Sequence, residues 1–82
     1  MSGSPRADIV EIYVRVPPEE IAFVKFIFES YEGVAVVRTA DPVRAVIVLL
    51  VAADFVTLAR EILAAIRSEV SWEELPAPAR GS

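Results

Sequence analysis

The chain contains neither cysteine nor histidine, and those two absences remove whole classes of chemistry. Without thiols there is no disulfide framework, no thiol redox couple and no thiolate metal site. Without imidazole the chain lacks the side chain that titrates nearest neutral pH, and with it the commonest general base and transition-metal ligand. Cations are scarce too: eight Lys and Arg residues stand against twelve Asp and Glu, a formal net charge of -4. That balance disfavours non-specific nucleic-acid binding, which depends on clustered Lys and Arg neutralising phosphates. Long apolar runs are missing as well. The longest, Ala45 to Ala53, is far below the roughly 18 residues of a membrane span. No opening segment joins positive charge to an apolar stretch in the manner of a secretion signal, so a cytoplasmic location is expected.

What the chain does have is apolar content: 55% of its 82 residues are hydrophobic. One domain is the limit at this size. Such a chain buries only roughly 60% of the surface its unfolded form exposes, so a lone monomer is marginal and association is an early expectation. Residues 1–7 and 76–82 are small, polar and Pro- or Gly-bearing, and are expected to be disordered tails around one folded unit, residues 8–75.

The folded unit reads as six elements. Asp8 to Val16 alternates, with Val10, Ile12, Val14 and Val16 on one face and Glu11, Tyr13 and Arg15 on the other, which predicts a strand with one buried face. Pro17-Pro18 ends it, and Pro18, followed by Glu19 and Glu20, opens a helix expected to reach about Tyr31 before Gly33. Val34 to Thr39 and Val43 to Val51 are β-branched strands separated by Ala40-Asp41-Pro42, a hairpin. Asp54 is placed to cap a second helix, running to about Glu69, in which Phe55, Leu58, Ala59, Ile62, Leu63 and Ile66 recur at helical spacing. Val70 to Leu75 is the last strand, an edge charged by Glu73 and Glu74. The order is β-α-β-β-α-β, an α+β, ferredoxin-like fold: a four-stranded antiparallel sheet with both helices on one face.

Parity then describes the open face. If Arg38 and Arg44 avoid the core, where an unpaired guanidinium costs several kcal/mol, this face carries Glu11, Tyr13 and Arg15, then Val34, Val36 and Arg38, then Arg44, Val46, Val48 and Leu50. Its apolar middle is expected to be an exposed patch rimmed by charge. The first helix also has more apolar residues than one stripe needs, with Ile21 and Phe26 widening the arc. Both surfaces are candidate interfaces of a homodimer.

The segments Ile12 to Pro17, Ile21-Ala22-Phe23-Val24-Lys25-Phe26, Tyr31-Glu32-Gly33 and Val37-Arg38-Thr39-Ala40-Asp41-Pro42 together resemble a family of short bacterial proteins known as domain of unknown function 4911. That likeness brings no assigned activity. More loosely, the topology looks like the ACT-domain superfamily, which implies a dimeric regulatory module binding small metabolites such as amino acids. The sequence departs from the ACT pattern at the turn after the first strand, where Val16-Pro17-Pro18 replaces a glycine-containing, ligand-contacting turn.

Little in the chain points to catalysis, and no cofactor is expected. Glu19-Glu20 suits a helix start, Glu73-Glu74 alternates across an edge strand, and Ser30, Ser68 and Ser71 have no base partner in view. Only Tyr13 offers an aromatic ring on the open face, too few for base stacking, so RNA is not an expected partner. One cluster remains. Strand direction brings the end of the first strand, the end of the second and the start of the third to one sheet edge, and with them Arg15, Arg38 and Arg44. Either these are solvated guanidiniums balanced by Asp41 or by Glu11 of the partner subunit, or they hold a small anionic metabolite or an acidic segment. Two functional classes follow: a dimeric, metabolite-binding regulatory module, or a purely protein-binding or structural domain whose open sheet docks another chain.

Overall fold

Alternation is realised in the first strand, β1 (Ile9–Arg15), of a computed structural model that describes residues 8–77. Ile12, Val14 and Val16 are each at most 2% exposed, while Glu11 and Arg15 face solvent. Pro17 and Pro18 then turn the chain: Pro17 is extended (φ -56°, ψ 137°), Pro18–Glu20 forms a short 3-10 turn and α1 follows at Ile21–Glu29. The helix stops where Ser30 donates both its backbone N–H and its hydroxyl to the Ile27 carbonyl. Gly33, at φ 83°, takes the left-handed turn that a side chain would strain.

That turn displaces one expected residue. Val34 precedes β2 (Ala35–Asp41) and lies in the core, 3% exposed, so it is not part of the open face. Strict alternation applies only inside a strand, and Val34 belongs to the turn, its N–H bonded to the Tyr31 carbonyl.

The hairpin turn is also later than composition suggests. β2 runs through Ala40 to Asp41 with a register shift between Thr39 and Asp41, and β3 is Val46–Ala52, so Val43 and Arg44 belong to the turn and not to a strand. The cause is Asp41, whose carboxylate Oδ1 accepts the N–H groups of Val43 and Arg44, both at 3.1 Å, an Asx-type turn. Ala45 closes the turn at φ 59°, a conformation that costs a non-glycine residue of order 1 kcal/mol. Replacing Asp41 with alanine removes both turn bonds and is expected to cost about 1–2 kcal/mol in urea denaturation; an unchanged midpoint would show that the turn holds without its carboxylate.

The second helix, α2 (Val56–Ile66), follows a 3-10 turn at Ala53–Phe55. Asp54 makes no capping hydrogen bond to it. The entry is instead fixed by the Ala53 N–H bonded to the Asp8 carbonyl at 3.0 Å. The last strand, β4 (Glu73–Leu75), is shorter than Val70 to Leu75. Val70 is drawn into the core and Trp72 turns back to the helix, its indole N–H donating to the Leu63 carbonyl at 2.8 Å.

The strands lie in the order β2-β3-β1-β4, and every neighbouring pair is antiparallel. With one helix between β1 and β2 and another between β3 and β4, this is the ferredoxin-like β-α-β-β-α-β fold. One sheet face, carrying Ile12, Val14, Val37, Ile47, Leu49 and Val51, packs on Val24 and Phe28 of α1 and on Ala59, Ile62, Leu63 and Ile66 of α2. Among the described residues no buried polar or charged side chain interrupts this core. Of the expected tails, residues 1–7 and 78–82 lie outside the described residues; Pro76 and Ala77 are exposed and carry no regular structure. Among the described residues no helix is long and apolar enough to cross a membrane.

Candidate ligand-binding site

The strand registers set the open face out as rows. Glu73, Arg15, Val46 and Asp41 are successive partners across β4, β1, β3 and β2; Leu75, Tyr13, Val48 and Arg38 form the next row; Glu11, Leu50 and Val36 the third. The first row alternates in charge. Arg15 Nη2 lies 2.8 Å from Glu73 Oε1, and Arg44, in the turn beyond Asp41, lies 3.9 Å from Asp41 Oδ2. Both pairs are exposed, and such pairs contribute about 0–1 kcal/mol.

Arg15 and Arg44 come together, and Arg38 does not join them. Two clefts of about 450 Å³ each meet at this corner, and Arg15 and Arg44 line both. The first opens on the sheet face over Val46, between Tyr13 and Leu75 on one side and Asp41 on the other. The second runs round the sheet end past Pro17 and Pro18, where the turn into α1 begins, to Trp72. Arg38 is exposed on the same face but one row away, opposite Val48, and lines neither cleft. β2 continues past Arg38 to Asp41, whose partner is Val46, so Arg38 does not stand at the strand end that strand direction brings to the corner. Tyr13 does line the face cleft, and its hydroxyl donates to Glu11 Oε1 at 3.1 Å.

The expected interface residues divide. Val36 is 54% exposed, and Phe26, on the outer side of α1, is 67% exposed. Val46 and Val48 are 7% and 8% exposed, because each lies between longer cross-strand neighbours, Arg15 and Asp41 in one case and Tyr13 and Arg38 in the other. The apolar middle of the face is therefore largely covered within one chain, with Leu50 half-buried beside Val36. Ile21 is half-buried against the core and not on an outer flank, since it shares a helix face with Val24 and Phe28.

Two participants have roles at the site that no motif announces. Trp72, the single tryptophan, lines the end cleft under the Arg67 guanidinium, which sits 3.8 Å from its ring centroid. Glu73 is the acidic partner that Arg15 meets across the β1–β4 ladder. On the far side of β4, Arg60 donates from Nη1 and Nη2 to the two carboxylate oxygens of Glu74 at 2.9 and 3.3 Å, and that hydrogen bonding raises the Arg60 pKa above its already high ordinary value. Among the described residues there is no group of three or more acidic side chains that could hold a metal ion.

Compared with known proteins, the chain matches the model of the family described as Domain of unknown function (DUF4911) over residues 14–70. That segment runs from the end of β1 into the loop after α2 and includes Arg15, Arg38 and Arg44. No curated protein and no solved structure matches the chain.

Proposed function

Given that the chain belongs to the DUF4911 family, whose name assigns no activity, we propose that it is a non-catalytic regulatory or interaction module. It works as a homodimer and holds a small carboxylate- or phosphate-bearing metabolite at the corner shared by Arg15 and Arg44. One observation carries this reading: two exposed guanidiniums from different elements line the same clefts above an apolar floor. Guanidinium forks take carboxylates and phosphates in bidentate fashion. Their present partners, Glu73 and Asp41, are held by exposed pairs weak enough for a ligand anion to displace. A second reading, a purely protein-binding domain, is favoured by the exposed Ile9, Val36 and Phe26.

Trp72 supplies the test, because it is the single tryptophan and lines the end cleft with both arginines. Titration with inorganic phosphate and a panel of small carboxylates is expected to change its fluorescence. A ligand at about 100 times its Kd should also add roughly 2.7 kcal/mol of stability. Arg15→Ala and Arg44→Ala are each expected to weaken binding roughly tenfold to a hundredfold, and Arg38→Ala to leave it intact. A panel that moves neither fluorescence nor melting temperature at millimolar concentration would leave the protein-binding reading standing alone.

A further inference from the structure

The two edges of the sheet differ in how they end. β4 is three residues long, carries Glu73 and Glu74 and runs into Pro76, all devices that discourage strand addition. β2 has seven residues, no proline and Arg38 as its single charge before Asp41. Among the described residues it pairs only with β3.

Two backbone hydrogen bonds at the ends of the β1–β3 ladder fix which β2 groups face outward. Val16 N–H donates to the Ala45 carbonyl at 3.1 Å and Ala53 N–H to the Asp8 carbonyl at 3.0 Å, so even-numbered residues along β1 turn their backbone groups toward β3. Their partners Ile47, Leu49 and Val51 reciprocate, which leaves Val48 and Leu50 to bond β2, at Arg38 and Val36. Antiparallel ladders alternate. Ala35, Val37 and Thr39 therefore point their N–H and C=O groups away from the sheet, a row evenly spaced about Val37.

We infer that this edge is where a second copy of the chain binds, the two β2 strands pairing antiparallel about a twofold axis at Val37. The inference rests on the homodimer reading above and names its interface. The row complements itself: Val37 meets the partner subunit's Val37, and Ala35 meets the partner subunit's Thr39 in both directions, giving roughly six interchain hydrogen bonds. Registers shifted toward the C-terminal end of β2 fail. An axis at Arg38 sets two guanidiniums directly opposite, and an axis at Thr39 runs into the register shift before Asp41 and Pro42. In the Val37 register, exposed Val36 lies opposite the partner subunit's Arg38, in a non-hydrogen-bonded pair with Cα atoms about 4.5 Å apart. The result is one continuous sheet through both subunits.

Because the chain has no cysteine, this register can be read by cross-linking. Val36→Cys and Arg38→Cys proteins, mixed and oxidised, are expected to give a covalent dimer on a non-reducing gel, and neither protein is expected to do so alone, since like positions are too far apart for a disulfide. Charge gives a second reading of opposite sign. Val36→Glu faces Arg38 and should tighten dimerisation, whereas Val36→Arg should loosen it, each by roughly two- to thirtyfold for the two symmetric pairs. A dimer that does not cross-link in the mixture, or that both charges break alike, overturns the edge interface while leaving the homodimer reading intact. A single-chain mass by light scattering at high micromolar concentration overturns both.

Discussion

Phe28→Ala is expected to leave the chain without a cooperative unfolding transition. Phe28 is 0% exposed and heads the fully buried side chains by size. It sits on the inner face of α1 with Val24, against a sheet face of β-branched and leucine side chains. Truncating a buried phenylalanine removes its transfer free energy and leaves a cavity, together about 3–5 kcal/mol. A domain of this length has roughly 4–12 kcal/mol of stability in all, and small domains fall toward the lower figure. The loss therefore approaches the whole. Urea denaturation followed by far-UV circular dichroism is the measurement, and a clear two-state transition shifted by less than about 1 kcal/mol would show that the core is not organised around this ring. Phe26→Ala is the control. Its side chain points away from the sheet, so monomer stability should change by no more than about 0.5 kcal/mol.

That contrast between two phenylalanines of one helix was only half legible in the sequence. Helical periodicity sets Phe26 beyond the core stripe of α1, where it lies, since positions three and four apart share a face. It also placed Ile21 outside, although Ile21 is one turn before Val24 and packs with it. Strand alternation served β1 well because that strand is regular along its length. It misled at Val34, where a left-handed glycine precedes the strand, and at the β2–β3 turn. There the usual turn residues, Asp41 and Pro42, start the turn instead of centring it, and Ala45 takes the positive φ where a glycine would have marked the end. Parity counted across that turn put Arg44 on a strand.

The same error shaped the site. The sequence pattern predicts that three arginines converge, and two do, because β2 continues to Asp41 and leaves Arg38 one row short of its end. Neutralisation of Arg15 by Glu73 depends on cross-strand register, which no local pattern discloses, whereas Asp41 is legible as a counterion of Arg44 because it lies three residues away. The exposed patch over Val46 and Val48 was overestimated for a related reason: alternation tells which face a side chain takes, not how far its longer neighbours cover it.

Trp72 shows most plainly what periodicity leaves out, and its replacement carries the second large expected effect. α2 ends at Ile66 without a glycine, so the last carbonyls of the helix need other donors. Arg67 N–H serves Ala64, and Glu69 and Val70 N–H groups serve Ile66. Leu63 is served by the Trp72 indole N–H at 2.8 Å, a side chain nine residues further on. The same ring lies beneath Arg67, whose guanidinium also donates to the Trp72 carbonyl at 3.2 Å. Trp72 thus joins the end of α2 to the start of β4 and positions Glu73 for Arg15. Trp72→Phe keeps an aromatic face for Arg67 and loses the indole bond, and is expected to cost about 1–2 kcal/mol. Trp72→Ala loses the ring as well and is expected to cost about 2–4 kcal/mol, since the side chain is only partly buried. Denaturation of both variants, read by circular dichroism because the fluorophore is gone, separates the contributions. Equal losses would mean that the hydrogen bond to Leu63 carries the anchor and the ring adds nothing; a neutral Trp72→Phe would mean that the helix end is satisfied by water and the ring alone holds β4.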